Sequence, residues 1–178
     1  MIARWDRAVV EAFQHAHWGP ANWVFIHLSD WWVHSVLIVA IGLAADLWRR
    51  TLPAATVLAT VSYLAAEGLD VELKRAFERP RPPVVDPAVH PLVPVPHSYS
   101  MPSGHAMSAF AAAVAVGLVH RRLRVPLLVL AGLVAISRVW LGVHYLSDVL
   151  VGAAFGSALS LTLWFVARGI IGARTSLP

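Results

Sequence analysis

Cysteine is missing from this chain of 178 residues, which excludes disulfides, thiolate catalysis and zinc sites built on cysteine. Its absence leaves the redox compartment open, because a membrane bundle needs no covalent staples. Charge is scarce as well: Asp, Glu, Lys and Arg make up 13% of the residues, against about 25% in an ordinary soluble domain. With 58% apolar residues and a mean hydropathy of +0.65, the chain reads as an integral membrane protein. The opening lacks a continuous apolar run with a small-residue cleavage site, so it is not read as a signal peptide. No cluster of carboxylates able to hold two metal ions occurs. The net charge of +4 would suggest nucleic acid in a soluble protein, but here the arginines flank apolar spans and report topology, so no nucleic-acid partner is expected. The length fits one membrane-embedded domain over residues 1–178.

The first 17 residues set Ile2, Trp5, Val9, Ala12 and Phe13 on one helical face, with Arg4, Asp6, Arg7 and Glu11 elsewhere. That is the pattern of an amphipathic helix lying on a membrane. Gly19 and Pro20 end it, and five of the eight tryptophans fall by position 32, an interfacial anchor belt. The apolar stretches predict an all-α, polytopic transmembrane bundle of about five to six helices. Crossings are expected near residues 34–45, 53–69, 106–119, 125–141 and 146–166. Several are shorter than the roughly 20 residues a bilayer requires, so their polar ends should continue as helix. Arg49 and Arg50, Arg121 to Arg124, and Arg168 to Arg174 close alternate spans. If these ends face the cytoplasm, residues 74–102 and 138–148 meet on the outer face. Gly152 and Gly156 form a G-x-x-x-G, read as helix packing.

The polar stretches on that outer face carry the chemistry. S-R-V-W-L-G-V-H-Y-L-S-D (Ser137 to Asp148) places Arg138, His144 and Asp148 at the end of an apolar span. His144 and Asp148 are four apart, so on a helix they share a face, and the carboxylate can orient the imidazole as nucleophile or base. Gly142 permits a turn that brings Arg138 back beside the ring to hold an anion. K-R-A-F-E-R-P-R-P (Lys74 to Pro82) carries Lys74, Arg75, Arg79 and Arg81 against the positive-inside trend, which assigns them to an anion instead. A proline-rich loop follows through Pro83, Pro87, Pro91, Pro94 and Pro96; a loop that long is functional or disordered. It ends in M-P-S-G-H (Met101 to His105), which reads as a helix start with free amides for an anion, Gly104 allowing close approach. His105 stands beside it, able to give or take a proton.

Together K-x6-R-P (Lys74, Arg81, Pro82), P-S-G-H (Pro102 to His105) and S-R-x5-H-x3-D (Ser137, Arg138, His144, Asp148) resemble the three-part signature of the type 2 phosphatidic acid phosphatase superfamily. The match covers about residues 74–148. It departs at the N-terminus, where many members carry a further span ahead of the amphipathic opening. The resemblance implies that His144 attacks phosphorus to form a phosphohistidine while Asp148 holds its tautomer. His105 would protonate the leaving oxygen and then activate water. Lys74, Arg81, Arg138, the Ser103 hydroxyl and the Gly104 amide would cradle the phosphoryl oxygens. No cofactor and no metal is implied, since the cations stand where magnesium would. The short opening and the run from His90 to His105 are similar to small undecaprenyl diphosphate phosphatases. Undecaprenyl diphosphate is therefore the expected substrate, at the external face of a bacterial-type cell membrane. Phosphatidic acid, phosphatidylglycerol phosphate, a polyprenyl-phosphate sugar and a lipid A phosphate are the alternatives, because the signature reads a phosphoryl group and not its tail. A non-catalytic lipid-binding or transport bundle would bind the same lipids without turnover. The only partners expected are the lipid substrate and membrane lipids.

Other polar residues have plainer expectations. Glu67, Asp70 and Lys74 share a helical face at i, i+3 and i+7, so the two acids should pair with the site's bases, a proton or substrate role being the alternative. His90 and His97 should be solvated, and His15, His17, His27, His34 and His120 interfacial. Asp30 has no partner legible in the sequence.

Overall fold

The computed structural model describes residues 3–175, apart from the side chains of Ser35 and residues 171–175; Ile2 and the Arg174 side chain therefore lie outside the described residues. The chain forms α1 (Arg4–His15), α2 (Gly19–Leu28), a π-helical turn (Val33–Leu37) leading into α3 (Ile38–Arg49), α4 (Ala54–Phe77), the short α5 (Pro82–Val85), α6 (Gly104–Val119), α7 (Arg124–Trp140) and α8 (Leu146–Thr175). Three helices among the described residues are long and apolar enough to cross a membrane, beginning at Ala54, Arg121 and Leu146; α6 is apolar but shorter. The expected continuation of polar ends as helix is realised in α4, which runs past Leu69 to carry Asp70 and Lys74.

The bundle is built around α6. Its run of small residues, including Ala106, Ala109, Ala112, Ala113 and Ala115, is fully buried, so neighbouring backbones can approach closely in the manner of membrane helices. α4, α7 and α8 surround it. Their outer faces carry exposed apolar side chains, such as Val57, Val61 and Leu64 on α4 and Val125, Val129, Leu133 and Ile136 on α7. That is the reverse of a soluble helix and suits lipid. The G-x-x-x-G of α8 lies against α6: a Cβ on Gly152 would stand 2.6 Å from the Ser103 carbonyl oxygen, and one on Gly156 2.0 Å from that of Met107. These glycines thus set how near α8 can bring its N-terminus to the start of α6. Gly156→Ala is expected to cost about 3 kcal/mol by overpacking and to lower the melting temperature in detergent; an unchanged melting temperature would mean that α8 stands off α6.

At the Arg49/Arg122 end, His120 is buried, with Nε2 2.8 Å from Asp46 Oδ1, and is not interfacial as expected. Thr56 donates its amide and hydroxyl to the same carboxylate at 2.9 and 2.8 Å. Asp46 is buried away from water, so the α3–α4 connection and the end of α6 supply its hydrogen bonds. Asp30, at the other end, has His27 Nδ1 3.4 Å away.

Candidate active site

Two prolines arrange the first side of the site. Pro80 and Pro82 hold the residues before them out of the helical region, and Arg81 is extended with φ −76° and ψ 157°. Arg79 and Arg81, two apart in an extended segment, therefore point the same way. Arg81 Nη1 donates to His144 Nε2 at 3.0 Å and to the Val143 carbonyl at 2.9 Å. Its Nε donates to the Ser98 carbonyl at 2.8 Å, and its Nη2 to Ser98 Oγ and the Tyr99 carbonyl at 3.1 and 3.2 Å. One guanidinium thus folds the proline-rich loop onto the histidine, and its donors are taken before any anion arrives. Arg79 differs from expectation. It grips two protein carboxylates, Asp148 Oδ1 at 2.5 Å and Asp6 Oδ2 at 2.7 Å, and so is not the exposed anion holder read from the sequence. Arg75 pairs on the surface with Glu72 at 2.9 Å.

The second side is the α7–α8 connection. Gly142 takes φ +73°, as the expected turn requires, and a side chain there would press on Gln14. His144 and Asp148 are not on one helix: His144 precedes α8, and Asp148 lies in its first turn, reaching back to accept the Tyr145 amide at 2.9 Å. The carboxylate satisfies a helix start that would otherwise be orphaned, and still stands 3.5 Å from His144 Nδ1. Ser100 Oγ donates to the same Oδ2 at 2.5 Å. Because Arg81 donates to Nε2, the imidazole proton sits on Nδ1, facing Asp148, and Nε2 keeps its lone pair. Burial, the largest effect, and the neighbouring cations push the His144 ring down to about 3 despite the pull of Asp148, so it is neutral at ordinary pH.

Asp6 was expected on the polar outer side of the amphipathic helix, yet it is fully buried. It accepts the Ser147 amide at 2.9 Å and the Ser147 hydroxyl at 2.6 Å, besides Arg79. α1 therefore packs Val10 and Phe13 against the bundle with Tyr145 and Val149, and its carboxylate caps α8. The R-P-R-P spacing was the signal available for Arg79; nothing local marked Asp6, whose partners lie more than 70 residues away.

The third side is the start of α6. Gly104 opens the helix against Asp70, whose Oδ2 would stand 2.9 Å from any Cβ there. Asp70 Oδ2 in turn holds Lys74 Nζ at 2.5 Å, the pairing expected within α4. His105 Nε2 donates to the Ser29 carbonyl at 3.2 Å, and Arg138 Nη1 donates to the Ser29 hydroxyl. The end of α2 thus clamps both. Arg138 is buried, and its Nε has no partner among the described residues.

Lys74, Arg81, Gly104, His105, Arg138 and His144 line one cavity of about 280 Å³. Asp148 stands behind His144 outside its lining, as does Ser103, whose hydroxyl is buried without a partner among the described residues. The cavity also takes in Glu67, Tyr63, Trp31 and His34. His34 is buried beside His105, ring centroids 4.3 Å apart, and is not interfacial as expected. His90 and His97 are exposed, as expected of loop histidines. The site holds a neutral histidine whose Nε2 lone pair is held by Arg81, three cations around it and a second histidine in the same cavity, which is what displacement at an anionic phosphorus centre needs once Arg81 turns to the anion.

The comparisons agree with this chemistry. The chain is 37% identical over 150 residues to decaprenylphosphoryl-5-phosphoribose phosphatase of Mycobacterium tuberculosis, spanning 83% of this chain and 81% of that one. It is 29% identical over 117 residues to undecaprenyl-diphosphatase BcrC of Bacillus subtilis, spanning 66% and 58%. The crystal structure of the transmembrane PAP2 type phosphatidylglycerolphosphate phosphatase from Bacillus subtilis superposes with a TM-score of 0.73 at 30% identity, over 93% of this chain and 85% of that one. The PAP2 superfamily model matches residues 52–170, from the start of α4 almost to the end of α8 and across all three sides of the cavity, so the chain belongs to the PAP2 superfamily.

Proposed function

We propose that this protein is a membrane phosphatase that removes the terminal phosphoryl group of a polyprenol-linked phosphosugar. The observation that carries the reaction is His144 itself: neutral, with Nδ1 facing Asp148 at 3.5 Å and its Nε2 lone pair toward the cavity cations. On this reading Nε2 attacks phosphorus as Arg81 moves its Nη1 donor from the ring to a phosphoryl oxygen. Lys74, Arg138 and the Gly104 end of α6 take the remaining charge. For this step His105 enters as imidazolium, Nε2–H still on the Ser29 carbonyl; its Nδ1 proton goes to the leaving oxygen, and the neutral ring then accepts a proton at Nδ1 from the water that cleaves the phosphohistidine. Ser103 joins only by turning its buried hydroxyl toward the substrate. These cations supply the stabilisation that magnesium gives in kinases, so turnover is expected to persist in chelator.

The substrate class rests on the similarity to decaprenylphosphoryl-5-phosphoribose phosphatase, which spans more of both chains than the similarity to undecaprenyl-diphosphatase BcrC. Undecaprenyl diphosphate is the second reading, favoured by that latter relative. Phosphate release by the purified protein in detergent with chelator distinguishes them. A preference for the phosphosugar lipid of more than about tenfold in kcat/KM, about 1.4 kcal/mol, supports the first. A preference for the diphosphate supports the second, and a preference for phosphatidic acid or phosphatidylglycerol phosphate overturns both. The cavity is assigned to the external face of the cell membrane, because Arg49, Arg122 and Arg168 lie at the opposite end. A membrane-impermeant thiol reagent should then label His90→Cys in intact cells; labelling only after lysis would reverse the orientation.

A further inference from the structure

We infer that the half of the cavity beyond His105 is a hydroxyl-binding subsite, with His34 and Glu67 as the acceptors that read the headgroup from which phosphate leaves. The inference rests on the roles given above to His144 and His105. In-line attack by His144 puts the leaving oxygen on the far side of phosphorus, beside His105. Whatever is attached to that oxygen occupies the space next to His105, where His34 stands with its ring centroid 4.3 Å away. At about 280 Å³, against about 30 Å³ for a liquid water, the cavity holds more than a phosphoryl group.

The hydrogen bonds fix what His34 can do. Ser108 Oγ has one proton, for which the Gly104 carbonyl at 2.8 Å and the Glu67 carboxylate compete, so toward His34 Nδ1 at 3.2 Å it accepts. The ring proton is therefore on Nδ1, and Nε2 is a bare acceptor. That atom is buried, belongs to a residue only 4% exposed, and has no partner among the described residues, so the ring must tilt toward the cavity for a hydroxyl to reach it. A buried acceptor left so costs free energy unless a ligand donates to it. Its placement comes from the π-helical turn Val33–Leu37, a local departure from α-helix of the kind that recurs at functional sites.

Across the cavity, α4 presents Tyr63, Glu67, Asp70 and Lys74 at i, i+4, i+7 and i+11, one continuous stripe. Asp70 gives Oδ2 to Lys74, and its Oδ1 has no partner among the described residues; the Glu67 carboxylate, which shares the Ser108 side chain with His34, stands one turn along the stripe as the second acceptor. A fully ionised phosphoryl group has no proton to donate to an imidazole lone pair or a carboxylate, and a second phosphate placed here would be repelled by Glu67. Alcohol hydroxyls can donate to both. The chemical class that fits is a polyol phosphate ester, such as a pentose 5-phosphate, with its phosphate among Lys74, Arg81 and Arg138 and its ring hydroxyls on His34 and Glu67.

The test is inhibition of whichever lipid phosphate the protein turns over fastest, by ribose 5-phosphate and by its 2,3-dideoxy analogue. Wild type should bind the hydroxylated compound about tenfold or more tightly, the loss expected when the buried His34 acceptor goes unmet. His34→Ala and Glu67→Ala should each shrink that ratio toward one while leaving the Ki of the dideoxy analogue nearly unchanged. His34→Gln, which restores an acceptor, should recover part of it. A wild-type ratio near one, or a ratio that survives both substitutions, overturns the subsite; Glu67 is exposed enough that its alanine variant will fold even if that of His34 does not. A large ratio in an enzyme that prefers a diphosphate would keep the subsite and remove the phosphosugar assignment, whereas a failed ratio in an enzyme that prefers the phosphosugar would do the reverse.

Discussion

His144→Ala is expected to lower phosphate release at least about 10⁴-fold, since losing a nucleophile removes the covalent route altogether. The bundle should survive. His144 supports one of the contacts of Arg81, and the Ser98, Tyr99 and Val143 carbonyls keep the guanidinium and the loop in place. The imidazole is also a stability liability in acid. Its folded value is about 3, whereas in the unfolded chain it titrates near the usual 6.5. Between those values the unfolded state binds the extra proton, so acidification from about 6.5 toward 3 favours unfolding. His144→Ala should therefore lose less melting temperature than wild type over that range. Phosphate release near the wild-type rate in the variant would remove His144 as the nucleophile, and identical acid sensitivity would contradict its neutral, buried state.

Asp148→Asn is expected to reduce kcat by about 10³ to 10⁴, the scale seen when the carboxylate orienting a catalytic histidine becomes an amide. Its fully buried carboxylate accepts from Arg79, Ser100 and the Tyr145 amide, and faces His144 Nδ1. An amide can accept on one atom only and must point its NH2 at a donor on the other. With oxygen kept for Ser100 and Tyr145, the nitrogen opposes Arg79; turned round, it opposes the helix cap and no longer holds the proton on Nδ1. A donor left unmet costs about 2 kcal/mol, so the melting temperature should fall alongside kcat. Substrate affinity should change little, because Asp148 lies behind His144 and outside the cavity lining. A raised KM with unchanged kcat would mean that Asp148 shapes binding and not the nucleophile.

The motifs were legible because each is local. Lys74 to Pro82, Pro102 to His105 and Arg138 to Asp148 are short runs whose residue types already imply an anion site, and the alternation of arginine-rich ends put them on one face. Helix lengths were legible in the same way from apolar runs, with α4 and α8 continuing through their polar ends. What failed were side chains judged by their neighbours in sequence. His34 and His120 looked interfacial because they sit at span ends, and Asp6 looked solvated because it lies on the polar face of an amphipathic helix. All three are buried against groups more than 70 residues away. Arg79 was seen as a cation for a ligand, when its partners are Asp6 and Asp148.

By itself, then, the sequence determined the class of molecule, the helices and most of the side chains that meet in the cavity, because hydropathy, helix signals and motif chemistry act over a few residues. Only the tertiary structure decided which acceptors are filled and which stay open. Arg81 is spent on the loop and His144, Arg79 joins α1 to Asp148, and His34 carries an unpaired Nε2 beside His105. Those outcomes depend on which donor reaches which acceptor once water is excluded, and that is settled by helices meeting across the bundle rather than by neighbours along the chain.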